Sequence, residues 1–305
     1  MKGLPLVKIK NGEKHYLKLT QNQRVQHLFI MVTFILLVAT GFPLKFHFYP
    51  WAKPMIEMFG GLHVTRIIHR VCGVIMVAQF FYHWYYLFKN MAVNYIIPAK
   101  KTGTFSWGEF GNFIYYSPMC PRKKDAQDIA AFIKYALFIS DDMPKHERFH
   151  WREKFDYWAV FWGIPVLGLT GLFLWFPVWA TTFLPGWAVN ISYIAHSDEA
   201  MLAVSVIFIW HMYNAHVNYD KFPMSPLFMT GYLPEHLMKH EYYMEWARIN
   251  RIVEKDPSRL LDLDKEREAE MLTNQEKIEL IREQIEFMKE STTGGKYNRG
   301  GSHHE

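Results

Sequence analysis

The sequence predicts an all-α membrane protein: a bundle of four transmembrane helices with both termini cytoplasmic, a cytoplasmic loop and a charged, helical C-terminal tail. Three observations predict it. Four stretches are mostly apolar over about 20 residues, the length an α-helix needs to cross a hydrocarbon core. The 41 residues from Tyr157 to Ser197 contain no Asp, Glu, Lys or Arg. Asp220 to Glu305, by contrast, carries 13 basic and 17 acidic side chains, a segregation that an ordinary globular domain does not show. Half of the 305 residues are hydrophobic and 21% are charged, which excludes a disordered chain. The net charge of +5 is diffuse, so no nucleic-acid partner is expected. Two cysteines and no CxxCH exclude a disulfide scaffold and covalent haem attachment.

The elements follow in order. Residues 1–24 read as a cytoplasmic segment, because the first apolar run begins too far in and is too long for a cleavable signal peptide. Helix one spans about 25–45, and its stretch from Val25 to Leu44 is free of acidic and basic residues apart from His27. Helix two spans about 63–88, with Arg66 and Arg70 in its first turns. A cytoplasmic loop is expected over 89–156. The long uncharged span is interrupted by FPVWATTFLPGW, whose Pro177 and Pro185 suit an interfacial turn. Helix three is therefore placed at about 157–176 and helix four at about 193–218, completing a transmembrane domain over 25–218. The tail, 219–305, includes EKIELIREQIEFMKE, whose alternating charges suit a solvated amphipathic helix from about 252 to 290.

Basic residues set the direction. Six precede His27 and eleven lie between Lys89 and Asp156. Only Lys45 and Lys53 lie between helices one and two, and none between helices three and four. The positive-inside rule then puts both termini, the loop and the tail in the cytoplasm.

Ionisable residues inside transmembrane helices mark function by default. His69 and His83 are 14 residues apart on helix two, and His196 and His211 are 15 apart on helix four. At about 100° per residue these intervals return to within about 40° and 60° of the starting direction, about 21 Å along the axis. Such pairs suit two stacked haems, each needing only two axial imidazoles, better than tetrahedral zinc. His27 lies at a depth similar to His83 and His211, and geometry does not choose among the three. Arg24, Arg66 and Arg70 lie near the expected haem depths, where they would pair with propionates. His63 and His216 point away from these faces and read as interfacial or supporting groups. Small residues, Gly41 and Gly171 among them, permit close approach of a macrocycle or a neighbouring helix.

LTQNQRVQHLFIMVTFILLVATGFPLKF in helix one and IIHRVCGVIMVAQFFYHWYYL in helix two carry a resemblance. So do FHWREKFDYWAVFWGIPVLGLTGLFLWFP and HSDEAMLAVSVIFIWHMYNAHVNYDKFPM at helices three and four. Over roughly residues 18–225 the chain resembles the di-haem b-type cytochrome subunits of membrane formate dehydrogenases, nickel–iron hydrogenases and thiosulfate reductases. The resemblance implies an outer haem held by the positions matching His69 and His196, and an inner haem held by those matching His27 and His211. The chain departs from that pattern in its 15-residue interval and in adding His83. With His83, the set is instead similar to the two-by-two pattern of quinol–cytochrome c oxidoreductase cytochrome b.

The implied function is electron transfer across a prokaryotic cytoplasmic membrane. Two non-covalent haems b would connect a quinone or menaquinone pool to an iron–sulfur or multihaem cytochrome subunit. A quinone site is expected beside the inner haem, near Arg24, Gln26 and Asn214. Rival expectations are a histidine-lined transporter or proton channel, and a haem-free membrane anchor.

Overall fold

The computed structural model describes residues 6–10, 13–141, 143–218, 221–222, 224–255 and 274–292. Strands β1 (Val7–Lys10) and β2 (Glu13–Leu17) precede helix α1 (Gln21–Lys45). Then come α2 (Ala52–Met58) and α3 (Leu62–Met91), which continues through a π segment, Ala92–Ile96, to Lys101. Helices α4 (Trp107–Tyr115), α5 (Lys123–Ala136), α6 (Trp151–Trp175) and α7 (Pro177–Ala180) follow. Helix α8 (Trp187–Ser205) runs on through π segments Val206–His211 and Tyr213–Val217. The rest comprises α9 (Leu227–Thr230), β3 (Tyr232–Pro234), α10 (Glu235–Glu241), α11 (Tyr243–Lys255) and α12 (Asn274–Thr292).

Among the described residues four helices are long and apolar enough to cross a membrane: Gln21–Lys45, Leu62–Lys101, Trp151–Trp175 and Trp187–Val217. The all-α membrane bundle is thus the architecture. The helices overrun their apolar stretches because a helix need not stop where lipid does. The start of α6 illustrates this: the His150 N–H donates to the Glu153 carboxylate (3.1 Å), which satisfies an otherwise orphaned donor before the uncharged run begins.

Two compact units divide the chain. One comprises residues 21–86 and 156–229 and contains most of the four spans. Its large apolar side chains, such as Phe29, Val71, Trp162 and Phe208, are exposed on the chain's own surface. That inverted arrangement suits lipid, where the hydrogen-bonded helix satisfies its own backbone. Pro43 and Pro165 lie inside α1 and α6, a position tolerated in membrane helices.

The other unit comprises residues 1–20, 87–155 and 230–305. It holds an antiparallel sheet of order β1-β2-β3, with Tyr16 opposite both Val7 and Leu233. The stretch expected as a loop over 89–156 carries α4 and α5, and α12 packs Ile278 onto Tyr95 and Ala99. Tyr95 also stacks on Phe113 at 4.7 Å. Buried Lys18 donates to Glu153 (2.6 Å) and lies 3.0 Å from the Tyr242 ring centre, so its charge is paired rather than stranded. Of the expected tail helix, residues 256–273 lie outside the described residues.

Candidate functional site

The histidines singled out by spacing all lie in the unit formed by residues 21–86 and 156–229. His69, near the start of α3, and His196, on α8, have ring centroids 6.2 Å apart. His27, near the start of α1, and His211, near the end of the helix that α8 begins, are also 6.2 Å apart. The helices therefore bring four of the five candidates into two facing pairs at opposite ends of the bundle.

Hydrogen bonds orient three of these rings. Thr40 Oγ1 lies 3.0 Å from His69 Nδ1 and 2.7 Å from its own-helix carbonyl, Leu36 O. The hydroxyl has one proton, which the carbonyl takes because a carbonyl can only accept. Toward His69 the hydroxyl is therefore an acceptor, Nδ1 carries the ring proton, and Nε2 keeps its lone pair. On α6, Thr170 repeats the device, with Oγ1 3.1 Å from His196 Nδ1 and 2.6 Å from Val166 O. The Leu167 carbonyl, 3.0 Å from the same Nδ1, requires the same tautomer. His211 Nδ1 donates to Asp156 Oδ2 (2.9 Å). Among the described residues no hydrogen bond engages Nε2 of these three rings.

The residue after each threonine is a glycine. A Cβ on Gly41 would stand 3.0 Å from His69 Cε1, and one on Gly171 would stand 3.1 Å from His196 Cε1. Both contacts are tighter than an added methyl group accepts without moving the imidazole. Gly41 and Gly171 were visible in the sequence as small residues, but the threonines were not singled out. The repeated Thr-Gly dipeptide, one on each supporting helix, was the available signal.

The 15-residue interval has a structural explanation. The π segment Val206–His211 lies between His196 and His211. A π turn accommodates one more residue than an α turn. Fifteen residues that include it therefore bring the second ring round much as fourteen α-helical residues would.

The fifth candidate, His83, makes different contacts. Its Nε2 is 3.0 Å from the Tyr157 hydroxyl and its Nδ1 is 2.8 Å from Gln26 Oε1, so both ring nitrogens are engaged by protein. Gln26 also donates to Asn22, and its backbone carbonyl accepts from Gln79. Asn214 donates to Trp210 O (2.9 Å). Arg24 donates through Nη1 to Met229 O, while its Nε is buried and meets no hydrogen-bond acceptor among the described residues. Arg66 and Arg70 are exposed in the first turns of α3, Arg70 lying 5.2 Å from the Trp175 ring centre. His216 packs edge-on against His211 and Phe228, and His63 is exposed.

A family model described as prokaryotic cytochrome b561 matches residues 23–219. The chain belongs to this family. It is also similar to the cytochrome b556(fdo) subunit of formate dehydrogenase from Escherichia coli K12, with 22% identity over 199 residues. That match covers 64% of this chain and 76% of the relative, and the subunits of Escherichia coli O6:H1 and O157:H7 match equally. As a prokaryotic cytochrome b561, the chain is a multi-pass membrane cytochrome b of bacterial electron transport and binds haem b.

The residues fit that group. A metal–imidazole bond of about 2 Å on each side, plus the distance from each nitrogen to its own ring centre, sums to roughly 6 Å between facing centroids. Both pairs stand at 6.2 Å, and among the described residues no tighter constellation of three or more metal-binding side chains competes.

Proposed function

We propose that this prokaryotic cytochrome b561 is a two-haem wire joining a quinone pool to a partner redox subunit of a bacterial inner-membrane complex. Both termini face the cytoplasm, so His27 and His211 hold the inner haem and His69 and His196 the outer one. The equal 6.2 Å separation of the two pairs carries this reading.

Bound haem supplies one-electron exchange at iron. The protein's part is to hold and orient. Thr40 and Thr170 keep the Nδ1 protons of His69 and His196 in place, so each Nε2 lone pair stays directed at the metal position. Asp156 does the same for His211. Exposed Arg66 and Arg70 stand where propionate charge needs neutralising. His83, with both nitrogens engaged, buttresses α1 against α3 and α6 instead of ligating iron.

A quinone, menaquinone among the candidates, exchanges beside the inner pair. Of the three residues expected there, Gln26 and Asn214 already spend their amide groups on neighbours, whereas Arg24 retains an unmatched Nε–H. Arg24 is therefore the donor we assign to a quinone carbonyl. The partner is an iron–sulfur or multihaem cytochrome subunit, a reading supported by the likeness to a formate dehydrogenase cytochrome subunit. Haem b binding decides against the transporter and haem-free anchor readings.

Reduction by a menaquinol analogue in membranes containing the chain tests the quinone assignment. Haem should be reduced by quinol, and Arg24→Ala should slow this at least tenfold while dithionite still reduces the full amount. Full reduction by dithionite with none by quinol would remove the quinone from the scheme.

A further inference from the structure

The two histidine pairs differ in the charge behind them. At His69 and His196 every acceptor of an Nδ1 proton is neutral: Thr40 Oγ1, Thr170 Oγ1 and Leu167 O. At His211 the acceptor is the Asp156 carboxylate, at 2.9 Å. Its other oxygen, Oδ1, is buried and has no hydrogen-bond partner among the described residues. The negative charge is therefore not drained toward a second donor and bears chiefly on the imidazole of His211. A carboxylate behind a ligating imidazole raises the basicity of the ligand. A more basic ligand, with negative charge nearby, stabilises the ferric over the ferrous state, because ferric iron carries one more positive charge.

We propose that Asp156 is a positioning residue that sets the potential of the haem held by His27 and His211, keeping it lower than a neutral partner would. The proposal rests on the reading of His211 as an axial ligand. Electrons at the inner position are thereby held less tightly, which lowers the barrier to passing them on to the Thr-supported pair.

Asp156→Asn is the informative variant. Asn Oδ1 still accepts the Nδ1 proton, so the ring orientation and tautomer survive while the charge is lost. Redox titration of the purified wild-type chain, followed at the α band, should resolve two components. His211→Ala identifies the inner one as the component that disappears. In Asp156→Asn that component should favour the reduced state by about tenfold at fixed poise, about 59 mV for a one-electron couple, with the other component unmoved. Asp156→Glu, which restores the carboxylate, should return the potential toward wild type. The low-spin ferric electron paramagnetic resonance signal of the inner haem should change in Asn and revert in Glu.

An inner component at wild-type potential in Asp156→Asn would overturn the proposal. So would equal shifts in both components. If Asp156→Asn loses the inner haem and Asp156→Glu retains it with an unaltered ferric signal, the role is structural and the proposal fails. If instead His211→Ala keeps both components, the ligand reading itself fails, which separates the two failures.

Discussion

His27 and His211 face each other at 6.2 Å between ring centroids, from the two ends of the sequence that builds the bundle. The same separation recurs between His69 and His196, and the supporting groups are shared in a regular way. Helix α1 brings His27 to one pair and Thr40 to the other. Helix α6 brings Asp156 to one and Thr170 to the other. The helix begun by α8 supplies one ring to each pair. Two helices thus support both sites, and a change at one end leaves the other end's contacts in place.

That separation makes the His27/His83 question experimental. His83→Leu is expected to leave haem content unchanged, because its ring nitrogens are occupied by Gln26 and Tyr157. His27→Ala is expected to lose one haem. Haem per chain by pyridine haemochrome checks both, and the reverse outcome would exchange the two residues' roles.

Thr40→Val and Thr170→Val should each weaken retention of the haem at His69 and His196 by about 10–100-fold, the usual cost of losing a partner behind a ligand. An interhelical hydrogen bond in a membrane averages about 0.6 kcal/mol, too little to unfold the bundle. The loss would therefore report on the site. Thr→Ser should restore retention, as measured by haem transfer to apomyoglobin.

Gly41→Ala and Gly171→Ala push a methyl group to within 3.0 and 3.1 Å of an imidazole carbon. Each should reduce occupancy of the Thr-supported site or tilt its ligand, visible as altered low-spin ferric resonance. The signal of the His27/His211 site should be unchanged in both.

The unit that contains His150 and Glu245 should loosen in acid. Burial alone would raise the Glu245 carboxyl, but Arg248 at 2.7 Å and Arg148 at 3.3 Å overcome it and hold it at about 2. Against an unfolded value of about 4.3, this stabilises above that pH and is lost as pH falls toward 2. His150 is pushed well below its usual range, mainly by burial, so stability begins to fall as pH drops below about 6.5, the unfolded value, and continues to fall toward the depressed folded value. Hydrogen exchange over residues 143–155 and 232–255 should accelerate in these two stages, the lower one diminished in Glu245→Gln. Protection that stays flat from pH 7 to 3 would contradict this.

Much of the bundle was legible because lipid imposes one simple rule, a run of apolar residues long enough to cross. The histidines stood out against that background for the same reason. The supporting threonines did not, since a hydroxyl that bonds its own helix is unremarkable in a membrane segment until a partner ring appears 3.0 Å away. The spacing of His196 and His211 looked irregular because α-helical periodicity was assumed throughout, and Val206–His211 is π-helical. Asn11-Gly12 between alternating residues was a hairpin signal for β1 and β2 that the charge-based reading passed over. Helix α5 lies among charged residues and α4 is a nine-residue aromatic stretch, far shorter than a span, so neither carries the long apolar run that marked the bundle.

Haem b per polypeptide, by pyridine haemochrome on the detergent-purified chain made under haem-replete conditions, tests the central claim most directly. The account predicts about two in the wild type and about one in each of His27→Ala, His69→Ala, His196→Ala and His211→Ala. One haem or none in the wild type, or two retained in every variant, would contradict it.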